Sequence, residues 1–77
     1  MPHTTAPYIE MDLDRAYKIA DAAGATNEQE RARLFGLSPA TWSRINRGLY
    51  PPTAQVIASV LTSRQDLKFY DVFRVRS

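Results

Sequence analysis

Seventy-seven residues suffice for one domain at most, near the size at which a core held by neither metal nor disulfide is marginal. A hydrophobic share of 44% and a charged share of 23% are ordinary for a soluble globular chain, and the lack of cysteine excludes disulfides, thiolate nucleophiles and cysteine-based zinc sites together. The net charge of +2 hides an uneven distribution: residues 1–30 carry six acids against two bases, and residues 31–77 carry eight bases against two acids.

In chain order, residues 1–10, with Pro2 and Pro7, read as a flexible arm, and His3 within it as a solvated side chain. Asp12 caps a first helix running to about Ala23. Leu13, Ala16, Tyr17 and Ala20 fall at i, i+3, i+4 and i+7 on one apolar stripe, which Ile19 widens toward Ala23, and Gly24 supplies the stop. Asp12 and Asp14 lie at the positive end of that helix dipole, which is a structural reason for them and not a catalytic one. The segment "TNEQERARLFG" opens a second, short helix. Asn27 with Glu30 three residues later forms a capping-box-like pair, with Thr26 and Gln29 as a competing register. Ala32 and Phe35 face one way, and Gly36 ends the helix.

Ser38 then caps a third helix with Pro39 as its first residue, where the missing N–H is harmless. Thr41, Trp42 and Ile45 form its inner stripe, while Ala40, Ser43, Arg44 and Arg47 point elsewhere. "GLYPP" cannot continue a helix. Thr53 caps a fourth, with Val56, Ile57, Val60 and Leu61 as its buried face. The tail reads as a short fifth helix at about Phe69–Phe73 and an extended end, because Tyr70–Arg76 finishes in strand-like alternation. No apolar run approaches the roughly 18 residues of a membrane span, and the N-terminus lacks a basic-then-apolar signal pattern. With the lack of cysteine, a cytoplasmic location is expected.

The run Asn27–Leu61, about 35 of the 77 residues, resembles the helix-turn-helix of the Cro/repressor family (XRE-like, lambda-repressor-like) of DNA-binding proteins. The resemblance rests on a small Ala32 four residues before Gly36, apolar Leu37 after it, the cap Ser38, apolar Trp42 and Ile45, and "INRG" and "PPT" ahead of the next helix. It implies an all-α fold, a bundle of four to five short helices with the helix-turn-helix at about 28–47, in one domain over residues 11–77. The tail is similar to the fifth helix of small phage and actinobacterial members. Two positions depart from the pattern. Arg31 stands where an apolar residue is usual, and Glu28 stands where a Gln often touches phosphate, so that a carboxylate there would repel the DNA backbone.

The basic second part points to an anionic partner, with nucleic acid first and a merely dipolar surface as the plain alternative. The resemblance makes Pro39–Arg47 a major-groove recognition helix. Arg44 is then the main base reader, Ser43 a less specific one, and Pro39 and Ala40 suit a thymine methyl. Thr41, Asn46, Arg47, Tyr50 and Asn27 are placed for phosphates, Tyr50 with a core role as its alternative. Arg33, Arg64, Lys68, Arg74 and Arg76 read as solvated charge, and Trp42 as core rather than a stacking platform. The implied function is a transcriptional repressor or Cro-like regulator, phage or prophage, that occupies a double-stranded operator in a bacterial host. It implies no cofactor, metal, small-molecule ligand or membrane. Val72, Phe73 and Val75 either pair with a second copy in a homodimer or cover the chain's own core in a monomer. The alternative function is a protein-interaction module, antitoxin-like or anti-repressor, using its acidic first helix. No catalytic constellation is recognisable, so an enzyme is not expected.

Overall fold

A computed structural model describes residues 6–76. In chain order these are strand β1 (Tyr8–Met11), helices α1 (Leu13–Ala22), α2 (Glu28–Leu34), α3 (Pro39–Asn46), α4 (Ala54–Ser63) and α5 (Phe69–Val72), and strand β2 (Phe73–Arg76). The chain is mostly helical, with a short two-stranded sheet.

Local rules set the first four helix boundaries. A helix leaves its first N–H groups without partners, and the side chains of Asp12, Asn27, Ser38 and Thr53 each accept from the backbone N–H three residues on, at 2.8–3.3 Å. At the start of α2 the cap is a hybrid of the two expected registers. Asn27 accepts from Glu30 N, and the Glu30 carboxylate reaches past Asn27 to the N–H and hydroxyl of Thr26, both at 3.2 Å.

Helices α1, α2 and α3 all stop on a glycine of positive φ. At Gly36, with φ +70°, its N–H reaches Arg33 O at 3.1 Å and that of Leu37 reaches Ala32 O at 2.8 Å. This pair of bonds closes a helix end and turns the chain. A Cβ on Gly36 would lie 1.9 Å from Ser63 Oγ and 3.2 Å from Ser59 O, so α4 packs directly over the turn.

The core is one cluster. Ala16 and Ala20 of α1, Ala32 and Phe35 of α2 and its cap, Trp42 and Ile45 of α3, Val60 of α4, and Val72 and Phe73 at the C-terminal end are buried, with Met11 closing it from β1. Tyr17, Ile19, Val56, Ile57 and Leu67 pack half-buried around it. Ala23, toward which the apolar stripe of the first helix widens in sequence, is exposed.

An all-α fold needs one correction. The arm expected over 1–10 is a strand in its last part: β1 pairs antiparallel with β2, Tyr8 opposite Arg76 and Met11 opposite Phe73. Met11 and Phe73 turn into the core at one end of the ladder, and Glu10 on the other face forms ion pairs with Arg74 and Arg76. Asp12 N donates to Val72 O at 2.7 Å and extends the clasp into α1. Burial and charge together thus order a segment whose prolines suggest a loose arm. Residues 1–5, with His3, lie outside the described residues. Val72 and Phe73 cover the chain's own core, while Val75 is exposed.

Candidate nucleic-acid interface

The site is built from the inner face of α3 outward. Ala32 is fully buried where α2 and α3 meet, and its small side chain lets the two backbones approach. Trp42 projects from α3 between two rings, Phe35 at 5.6 Å and Tyr17 at 6.1 Å between centroids, both near parallel. Each such pair contributes about 0.5–1.5 kcal/mol beyond its buried area. The Arg31 guanidinium lies 4.7 Å from the centre of the Tyr17 ring and caps the column. The position where an apolar residue was expected is therefore filled by a cation whose stem and flat head behave as packing material.

At the edge of this column sits Glu28. Its Oε2 accepts from the Trp42 indole N–H at 2.8 Å and from Asn46 Nδ2 at 3.1 Å, and its Oε1 accepts from Arg31. The Tyr17 hydroxyl lies 2.9 Å from Asn46 Oδ1 and 3.3 Å from Glu28 Oε1. Partial burial is the largest single influence on the Glu28 carboxyl and works against its charge. Hydrogen bonds from Trp42 and Arg31, the Arg31 charge and Tyr17 together outweigh it and hold the carboxyl below its ordinary range. The carboxylate read from sequence as a repulsive element is thus a bridge between α1, α2 and α3. One signal for it was available: a buried tryptophan needs a partner for its N–H, and an acid stands at the start of the preceding helix.

The outer face of α3 presents Pro39, Ala40, Arg44 and Arg47 to solvent, with Ser43 half-buried between them. Arg44 also borders a cleft of about 370 Å³ between α3 and the start of α4, which Ser38, Thr41, Tyr50, Thr53 and Gln55 help to line. Gln55 is a polar group of this cleft that the sequence does not single out, and Thr53 is legible there only as a helix cap. Their proximity to Arg44 arises from the packing of α4 over the turn. Tyr50 is 63% exposed, so its core alternative does not hold.

Three other residues expected at phosphates carry hydrogen bonds within the chain. Asn46 is half-buried, its amide shared between Glu28 and Tyr17. Asn27 is exposed, with its oxygen engaged as a cap. Thr41 is half-buried and its hydroxyl accepts from Ser38 Oγ at 2.9 Å.

Ion pairing sorts the cations. Arg15, Arg31, Arg64, Arg74 and Arg76 are paired with carboxylates. Arg64 binds Asp66 through two bonds at 3.0 and 2.9 Å, and Arg74 pairs with both Glu10 and Asp12. Arg64, Arg74 and Arg76 are therefore paired charges, of which Arg74 and Arg76 are also exposed to solvent. Lys18, Arg33, Arg44, Arg47 and Lys68 form no ion pair among the described residues. Two of these five share one exposed helix face. No protein-family model, curated protein or solved structure matches the chain.

Proposed function

We propose that the chain is a helix-turn-helix protein of the lambda-repressor-like kind, which binds double-stranded DNA sequence-specifically through α3 and represses transcription by occupying a promoter site in a bacterial cytoplasm. The observation that carries this reading is the division of α3 into two faces. Trp42, Ile45 and Asn46 anchor it to the rest of the molecule, while Arg44 and Arg47, which form no ion pair among the described residues, stand on the other side beside exposed Pro39 and Ala40. A helix held this way matches the width of a major groove. The Arg44 guanidinium suits the two acceptors on the guanine edge, Pro39 and Ala40 suit a thymine methyl, and Arg47 suits a phosphate.

The test is selection of duplexes from a random pool by the wild-type protein, followed by titration of Arg44→Ala and Arg47→Ala against the selected site and its single-base variants. Arg44→Ala is expected to abolish discrimination at a guanine position, a loss of about 1–3 kcal/mol. Arg47→Ala is expected to weaken all duplexes alike. Unchanged base preference in Arg44→Ala removes Arg44 from the reading role, and a pool that yields no enriched motif contradicts the DNA-binding reading itself.

A further inference from the structure

We propose that Glu28 is a positioning residue for DNA reading: through Trp42 and Asn46 it sets the orientation of α3, and hence where Arg44 arrives on the base edges. The inference rests on the reading of α3 as the DNA-contacting helix and adds a determinant of specificity that does not itself touch a base.

The geometry carries it. Trp42 and Asn46 are four residues apart on α3, so they lie one above the other on the same side of the helix. Both donate to the same oxygen of Glu28, at 2.8 and 3.1 Å. Two bonds to one point along a helix restrain its roll, which a single bond would not. The other oxygen is held by Arg31, itself stacked on Tyr17 of α1, and Tyr17 returns to Asn46 at 2.9 Å. The loop runs from α3 through α2 and α1 and back to α3. Contacts between apolar faces alone tolerate small rolls and slides, whereas hydrogen bonds lose strength within about 0.5 Å of extra distance. Arg44 lies two residues from both Trp42 and Asn46, so any roll they allow displaces its guanidinium, and a bidentate contact with a base does not survive displacement of about 1 Å.

A positioning role and a simple charge effect predict opposite signs. Glu28→Gln removes a negative charge near the DNA face. Through-space electrostatics alone makes that change favourable to binding. The positioning role predicts loss of specificity, because an amide oxygen can keep Trp42 and Asn46 only by turning its NH2 group toward the Arg31 guanidinium, itself a donor, which opens the loop that holds the carboxylate in place. Trp42→Phe is the second variant. It keeps an aromatic ring between Phe35 and Tyr17, removes the indole N–H together with part of the ring volume, and leaves the charge unaltered.

The experiment takes the duplex that the wild-type protein selects from a random pool and measures, for wild type and both variants, the ratio of affinity for that duplex to affinity for one altered at the Arg44-dependent base pair. Thermal melts establish that each variant is folded at the assay temperature. The expected result is a ratio lowered at least about fivefold in both variants, as befits a weakened bidentate contact, with affinity for unrelated DNA unchanged or slightly raised. The indole N–H resonance of Trp42 is expected to shift in Glu28→Gln. A folded variant of either kind that keeps the wild-type ratio overturns the positioning role and leaves the DNA reading intact. If Glu28→Gln does not fold, Trp42→Phe decides the matter alone. A wild-type protein that enriches no motif overturns the DNA reading, and the positioning role falls with it.

Discussion

A tryptophan only 1% exposed has to place its N–H somewhere, and here it faces a carboxylate that also holds Arg31 and Asn46. Removing such a partner leaves a buried donor unsatisfied, which is more expensive than the modest net gain from forming the bond. The charge state of Glu28 therefore carries a stability consequence with a definite sign. Its carboxyl is depressed in the folded protein below the ordinary value of 4.5. The stability it contributes is present in full above that value and is lost as pH falls through the lower folded value. The transition midpoint in urea is expected to fall as pH drops below about 4.5, with the sole tryptophan as its own reporter. Asp66, held below its ordinary value chiefly by the hydrogen bond from Arg64, acts in the same direction, so the Glu28 share is the difference between wild type and Glu28→Gln. A pH profile for Glu28→Gln that parallels wild type throughout the acid range would show that Glu28 makes no such contribution.

At the scale of elements, the corner between α2 and α3 depends on one residue that nothing else can replace. An L-residue in the left-handed conformation costs about 1–2 kcal/mol, and at Gly36 a Cβ would also displace the Ser63 hydroxyl and still meet Ser63 Cβ at 3.0 Å and the Ser59 carbonyl at 3.2 Å. Gly24 has a similar φ of +82°, and a Cβ there would meet no atom within 4 Å, so it isolates the backbone contribution. Gly36→Ala is expected to lower the urea midpoint more than Gly24→Ala, and equal losses would mean that α4 does not seat on the turn. The corner, the four side-chain caps and the inner stripe of α3 are legible in the sequence because each is decided within a few residues of chain. Strand β1 is not. Its partner is β2, with Glu10 meeting Arg74 across 64 positions, and a four-residue strand has no local signal strong enough to outweigh two neighbouring prolines. The role of Glu28 has only an indirect signal in the sequence, for the same reason: its partners Trp42 and Asn46 are 14 and 18 residues away on the next helix, and only the closing of the corner brings them to it.

For the whole molecule, the uneven charge along the sequence is partly consumed by folding. The acidic first part and basic second part meet where Glu10 pairs with Arg74 and Arg76, and where Glu28 and Asp21 meet Arg31. The basic surplus is consequently a smaller resource than the residue count implies, and the part of it on α3 lies where the neighbouring carboxylates do not reach. The clasp joins β1, β2 and α5 to one another and to α1, the helix whose Tyr17 stacks on Trp42 of α3. The most direct measurement of the central claim is a titration of isotopically labelled protein with its selected duplex, following the backbone amides and the arginine side-chain N–H resonances. The expected result is that perturbations gather on the turn, on α3 and on the loop that follows it, residues 36–50, with Arg44 and Arg47 shifting strongly while Arg64, Arg74 and Arg76 stay with their carboxylates. Perturbations centred on α1 or on the β1–β2 ladder, with Arg44 unmoved, would contradict the account.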